Sequence, residues 1–594
     1  MPKTLPPARL AFLLAAFALP LLAAGCYKAE GKARTESNST EADLALTQQA
    51  LSDSLLAPFA GFEPPPGASD AEATRWADSV LATLTLDEKI GQLFIVDLRA
   101  DWIRGARSLE QIAGWGVGGF HVGRKVPPRT VLARTNRVQN AAEIPLFITA
   151  DFEWGVGQPS TAFTELPGAM AYGAVGDPMF AELGGAVTAM EARAMGVNVL
   201  FAPTADVNNN PRNPIINTRS YGEDPQRVGE LAGAFVHGAQ AHGALATLKH
   251  FPGHGNTATD THTDFDAVPG DWDALSRIEL APYRTALRSN PGFVMSAHLW
   301  MQALDDEPIP ATFSRRALTD VLRDSLGYDG IVSTDAVVMG ALKKNYSFRD
   351  RMVRPIQAGA DIILNTPDPR AGMRAIRRAV DQGELTEASI DQSVRRILKG
   401  KARLGLHRQR VASPERLNRM LEEVRGARFA DALTQAAVTV VRPGPLPLRA
   451  EQTVALIQMS NFRAASPMTR LERDLNPDSQ LRVGRSPSSS QTSRARRLAR
   501  NADAVVLAVH LKVLHEQAPT LTASQRRFAS SLLEAGTPVV VAVIGNPYAA
   551  TDLAAAAGLV MAYDETARTA TAVANVLTGR QRARGRLPVN VPGI

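Results

Sequence analysis

Eight short apolar runs, at 92–98, 117–122, 146–150, 197–202, 244–248, 292–296, 330–334 and 361–365, restrict the fold of this chain more than anything else in it. Runs this short match β-strands. The stretches between most of them, such as 177–195 and 224–242, are long enough for helices. Parallel neighbours need a crossover between them, so this alternation predicts a TIM-type (β/α)8 barrel. Several runs end in polar residues: Asp151, Asp206 just past Pro203, Lys249 with His250, His298, and Asp335. In a barrel the C-terminal strand ends open on one face, where active sites are built. One Asp after a strand reads as a helix cap. Polar residues at several strand ends of one barrel read as a site.

The barrel is expected over residues 75–406 and closes with an Arg-rich amphipathic helix at 389–406. A helical connector is expected at 407–435. Further apolar runs at 454–458, 504–510, 539–544 and 558–562 predict a smaller three-layer α/β/α sandwich over 436–594. Gly545-Asn546-Pro547-Tyr548 caps one of those strands, and 485–500 reads as a surface loop running into a helix. A length of 594 residues fits two domains. Charged residues make up 21% of the chain and the net charge is +6, modest for this length. The basic stretch with Arg494, Arg496, Arg497 and Arg500 has no interleaved aromatics, so a solvated face is the better reading and no nucleic-acid partner is expected.

Cys26 is the one cysteine, which excludes an intrachain disulfide. It follows a basic start (Lys3, Arg9), an apolar run at 10–22 and Leu22-Ala23-Ala24-Gly25. That order resembles a bacterial lipoprotein signal over 1–26, with Cys26 as the lipidated residue. Ala23 stands where a larger aliphatic residue is usual, and a plain secretory signal is the alternative. Either way the protein is exported. A lipid on Cys26 would hold it to a membrane on the periplasmic or cell-surface side without a spanning helix. Residues 27–74 read as a flexible tether with a short helix near 41–56, reaching about 35–40 Å.

The densest chemistry lies in Lys249-His250-Phe251-Pro252-Gly253-His254-Gly255 and Asp260-Thr261-His262, directly after the run at 244–248. Pro252 and the glycines stop a helix there, so the segment reads as a rigid loop aiming polar groups at a target. Three other readings fail. Gly114-Trp115-Gly116-Val117-Gly118-Gly119 fits G-x-G-x-x-G, but a strand-like run follows it where a dinucleotide site needs a helix. His250, His254 and His262 with Asp260, Asp264 and Asp266 could be metal ligands, but Pro252-Gly253 breaks the helix such spacing needs and no Glu follows the first His. A G-x-S-x-G elbow is absent.

K-H-F-P-G-H-G followed by D-x-H resembles the signature of bacterial β-N-acetylhexosaminidases of glycoside hydrolase family 3. Several other segments resemble the same family: Leu84-Thr85-Leu86-Asp87-Glu88-Lys89-Ile90-Gly91-Gln92-Leu93-Phe94, Phe201-Ala202-Pro203-Thr204-Ala205-Asp206, Arg219-Ser220-Tyr221, Ser296-Ala297-His298 and Ser333-Thr334-Asp335. The resemblance implies a nucleophilic Asp335 that forms a covalent glycosyl-enzyme. It implies His262 as acid and then base, with Asp260 orienting it, so that configuration is retained. Asp151, Arg219, Lys249 and His250 would hold sugar hydroxyls, Arg219 near the N-acetyl group. Asp206, His298 and Met339 could shape the pocket or satisfy core hydrogen bonds.

After Glu153 the family usually carries Gly-Gly-Arg and a second Arg, and this chain has Trp154-Gly155-Val156-Gly157-Gln158. Trp154 either stacks on a sugar or fills the space the arginine left. The expected enzyme is a monomeric exo-β-N-acetylglucosaminidase, free of metal and cofactor, removing β-linked GlcNAc from oligosaccharides or muropeptides. The alternatives are a β-glucosidase, a phosphorolytic family 3 enzyme, and a non-catalytic glycan-binding lipoprotein.

Overall fold

The computed structural model describes residues 50–62, 64, 67–123, 126–157, 162–261, 265–461, 466–511 and 520–594. Cys26, the expected leader and most of the expected tether lie outside the described residues, as do Gln158, His262 and Asp264. The chain divides into two compact units, Met1–Gly61 and Phe62–Ile594. In the first, residues 50–56 are helical and a 3-10 turn, Ala57–Phe59, follows. Among the described residues no helix is long and apolar enough to cross a membrane.

In the second unit a helix over Asp70–Leu81 begins within the stretch expected to be tether. The Ser69 hydroxyl caps it by accepting the Glu72 N–H. Arg403 and Arg395 of the barrel-closing helix, Glu387–Arg403, bind its Asp70 and Asp78. Thr85 and Glu88 form a reciprocal capping box that starts the helix Leu86–Gln92.

The strands that follow are β1 (Phe94–Asp97), β2 (Gly119–Val122), β3 (Phe147–Ala150), β4 (Val199–Leu200), β5 (Leu245–Phe251), β6 (Asp266–Val268), β7 (Phe293–Ser296), β8 (Leu299–Met301), β9 (Ile331–Ala336) and β10 (Ile362–Leu364). A closed barrel forms in the order β1-β10-β9-β7-β5-β4-β3-β2, and β6 pairs with β8 as a separate ribbon. Each of the eight predicted runs holds one barrel strand. The crossover helices Pro178–Ala194 and Pro225–Ala241 start alike, with an Asp cap and proline in the first turn. Phe94, Phe120, Phe147, Phe201, Phe251 and Phe293, one on or beside each of six strands, are fully buried. The glycine-rich run before β2 is a close approach, since a Cβ on Gly118 would lie 2.0 Å from the Gln92 carbonyl oxygen.

Helices over Pro414–Met420 and Ala427–Ala437 connect to a six-stranded sheet. Its strands are β11 (Thr439–Arg442), β12 (Val454–Ser460), β13 (Ser479–Val483), β14 (Ala504–Leu511), β15 (Val539–Gly545) and β16 (Gly558–Ala562), in the order β11-β16-β15-β14-β12-β13. The four predicted runs are the sheet's interior strands. The two additional strands, β11 and β13, form its edges, and β11 runs antiparallel to β16. Alternate residues feed two cores: Ile457, Leu507 and Val541 face one, Leu456, Val506 and Val540 the other. The first core also takes in Met170, Ala171 and Ala174 from the barrel side.

Polar contacts join sheet and barrel as well. The Asn208 amide donates to the Tyr548 hydroxyl at 2.8 Å, and Glu223 N–H donates to the Pro588 carbonyl at 3.1 Å. Tyr548→Phe should leave the buried Asn208 donor unsatisfied and cost about 1–3 kcal/mol. Urea unfolding followed by circular dichroism should show a lowered midpoint, and an unchanged midpoint would count against this contact.

Candidate active site

Lys249 lies in β5, which runs on through His250 and Phe251 to end where the loop was expected to be well under way. Lys249 is held by the barrel ladder, and His250 sits at an irregularity of the same strand, between the paired Lys249 and Phe251. The Lys249 ammonium, 3% exposed, sits 3.0 Å from Asp151 and 2.7 Å from Glu153 at the end of β3. The Arg219 guanidinium grips Glu153 with two hydrogen bonds, at 2.8 and 2.9 Å, and donates to the Ile215 carbonyl. Burial works against the charged form of each group, and the opposite charges outweigh it. Asp151 is thereby held below its ordinary range, Glu153 well below, and Lys249 above. The quartet is a neutral, ionised cluster at physiological pH.

Beneath it sits a layer of supports. Asp206 is fully buried and accepts from His250 N–H at 3.1 Å, His250 Nδ1 at 2.8 Å and His254 N–H at 2.7 Å. It does not line the cavity; it holds the turn after β5. Both His254 ring nitrogens meet threonine hydroxyls, Thr257 and Thr261, at 2.9 Å. Burial lowers His254 to about 4, so it braces the loop as a neutral ring. A Cβ on Gly255 would lie 1.6 Å from the Val207 carbonyl oxygen, so only glycine fits there. Asp266 accepts from Ala258 and Thr259 N–H and closes the same loop. Asp260, 2% exposed, lies in this braced segment, while His262 lies outside the described residues. His298 is also buried. It bonds Thr312 at 2.8 Å and the Ala336 carbonyl at 3.2 Å, beside Asp335 at the end of β9.

These strand ends face a cavity of about 960 Å³. Asp335, Asp151, Arg219, Lys249 and His250 all line it, and so does Met339. Trp154 lines it too, with its indole Nε1 against Gly168, where a Cβ would approach within 2.8 Å. Other lining residues escaped the sequence reading. His121 on β2 bonds Thr149 at 3.0 Å and lies 3.6 Å from Asp151; burial lowers its pKa, which favours the neutral ring. Its only signal was a polar residue inside an apolar run. Asn365, at the end of β10, has a left-handed φ of 58°. Asn546, Tyr563, Asp564, Glu565 and Thr566 reach the cavity from the second domain. The cluster can bind a polar, hydroxyl-rich ligand against fixed charges and present the Asp335 carboxylate to it.

Residues 85–399 match the model for the glycosyl hydrolase family 3 N terminal domain, and residues 336–593 match that for the family's C-terminal domain. The beta-N-acetylglucosaminidase/beta-glucosidase of Cellulomonas fimi is 30% identical over 423 residues, covering 68% of this chain and 73% of that protein. Beta-hexosaminidase A of Pseudoalteromonas piscicida is 35% identical over 354 residues, covering 54% and 58% respectively. Among solved structures, the family 3 beta-N-acetylglucosaminidase of Paenibacillus sp. str. FPU-7 superposes with a TM-score of 0.73 at 29% identity, covering 86% of this chain and all of that one. A beta-glucoside phosphorylase superposes with a TM-score of 0.77 at 26% identity, covering 91% and 98%.

One buried acid stabilises a cavity wall with a pH signature. Glu191 accepts from Thr164 N–H and from its hydroxyl, next to the lining residues Glu165 and Leu166. Burial raises its pKa from 4.5 to about 7. The folded state therefore holds that proton more tightly than the unfolded chain, and stability should fall as pH rises from about 4.5 to about 7. Glu191→Gln should remove this component. Melting curves across that window should show a shallower decline for the variant, and parallel declines would contradict the assignment.

Proposed function

The chain belongs to glycosyl hydrolase family 3 and is a glycoside hydrolase, and from that premise we propose a retaining exo-β-N-acetylglucosaminidase that removes non-reducing β-linked GlcNAc from peptidoglycan fragments. The observation that carries this reading is the shared cavity, in which Asp335 accompanies the ionised Asp151, Glu153, Lys249 and Arg219.

The sugar's hydroxyls bond to Asp151, Lys249, His250 and Arg219, which fixes the anomeric carbon over the end of β9. Asp335 attacks that carbon as the glycosidic bond breaks, forming a glycosyl ester. His262, oriented by Asp260, gives its proton to the departing oxygen and then takes one from the water that cleaves the ester. Two inversions leave the configuration retained. The names of the Cellulomonas and Paenibacillus proteins support GlcNAc as the sugar. The sequence around Cys26 supports export and lipid anchoring, which would place the enzyme beside the cell wall. A phosphorolytic variant would use the same intermediate with phosphate in place of water, and the likeness to the beta-glucoside phosphorylase makes that the reading to exclude.

The test is release of p-nitrophenol from its β-N-acetylglucosaminide and its β-glucoside, with and without phosphate. The expected products are GlcNAc, made equally in both buffers, with turnover falling at least about a hundredfold in Asp335→Ala and His262→Ala. GlcNAc-1-phosphate as the product would replace hydrolysis with phosphorolysis. Unimpaired variants would overturn the residue roles.

A further inference from the structure

The second domain places its own residues at the cavity. Two of its parallel strands, β15 and β16, end there, as strands of open α/β sheets commonly end at a ligand crevice. Asn546 follows β15, and Tyr563, Asp564, Glu565 and Thr566 follow β16; all line the cavity that holds Asp335. A volume of about 960 Å³ is at the upper end for ligand pockets and exceeds what one pyranose ring needs.

Glu565 is set in place by three neighbouring strands. A Cβ on Gly545 would lie 3.1 Å from Glu565 Cγ, so β15 ends in the residue that leaves room for this side chain. His510 on β14 is 4% exposed, and its Nε2 faces Glu565 Oε2 at 3.6 Å. That nitrogen has no hydrogen-bond partner among the described residues. Ser460, at the end of β12, lies 3.4 Å from the other ring nitrogen. A buried imidazole aimed at a cavity-lining carboxylate indicates a built position and not a chance surface acid.

Among the described residues, the charged side chains that the second domain brings to this wall are carboxylates. Asp564 and Glu165 line the cavity beside Glu565. Burial raises Asp564 to about 6, and Glu165 and Glu565 add like charge. The cavity's own cations, Lys249 and Arg219, are engaged with Asp151 and Glu153. Among the described residues no lysine or arginine of the second domain lines it.

We propose that the second domain builds the leaving-group end of the cavity and that Glu565, backed by His510, is its specificity residue. The wall accepts aglycones bearing hydroxyls or an ammonium and disfavours those with a free carboxylate near the scissile bond. This rests on the reading of the enzyme as a β-N-acetylglucosaminidase and narrows its natural substrates. Among cell-wall fragments it favours those in which the muramic carboxylate is capped as an amide.

The experiment compares kcat/KM for three β-1,4 disaccharides with GlcNAc at the non-reducing end. Their reducing sugars are glucosamine, N-acetylglucosamine and N-acetylmuramic acid, which are cationic, neutral and anionic. Wild-type enzyme should prefer the cationic over the anionic aglycone. Glu565→Gln should reduce that ratio about fivefold, the size of one charge–charge contact near a surface. His510→Ala should move it in the same direction. Where Glu565→Gln does not fold, Asp564→Asn reads the same wall. An equal ratio in wild type and variants, or a wild-type preference for the anionic sugar, overturns the proposal. Wild-type turnover of p-nitrophenyl β-N-acetylglucosaminide, run alongside, separates the two failures. Turnover with a flat ratio removes only the leaving-group role, and no turnover removes the underlying activity and this proposal with it.

Discussion

A buried ammonium between two carboxylates organises the site. Lys249 would be costly to bury alone, and so would Asp151 and Glu153 side by side. With Arg219 on the far side of Glu153, each charge meets an opposite one within about 3 Å. The four come from three separate segments, so their balance requires the ends of β3 and β5 and the turn carrying Arg219 to be in register. Removing any one member leaves an uncompensated buried charge and loosens the others. The same fixed charges give a hydroxyl-rich ligand a preorganised binding surface.

Asp206 extends this arrangement downward. It ties His250 and His254 to the segment after β4, and His254 in turn ties down Thr257 and Thr261. The loop after β5 is thus anchored at its base by buried polar contacts, and Asp260 sits within it. The proposed histidine acid depends on such bracing, because an acid carried on a loop must stay within reach of the departing oxygen. The second domain contributes from above. Tyr548 grips Asn208, and Asn208 accepts the backbone N–H of Asn217, itself a cavity-lining residue. The sheet therefore steadies the barrel's rim as well as supplying a wall of its own.

The barrel was legible because buried parallel strands are continuous apolar runs, and all eight stood out. The edge strands β11 and β13 did not. β13 is Ser-Gln-Leu-Arg-Val, partly exposed along its length, and carries no such run. Asp151, Lys249 and Asp335 showed themselves as polar breaks at strand ends. His121 was lost within an apolar run, and the pairing of Glu153 with Arg219, 66 residues away, has no local signature. Asp564 and Glu565 were invisible for a different reason: two acids after a strand in the second domain read as surface until the domains are packed together. The sequence ended the apolar run at Leu248 and began the loop there because Pro252 drew the boundary back, whereas the ladder continues to Phe251.

The central claim is that Asp335 carries the sugar, and the most direct measurement is to trap the intermediate. A fluorinated N-acetylglucosaminyl fluoride slows the second half of the reaction, and peptide mapping by mass spectrometry then finds the ester. The expected result is the mass of one sugar on the peptide containing Asp335, absent from the Asp335→Ala enzyme. Label on another carboxylate, or burst-free turnover with no labelled peptide, would contradict it.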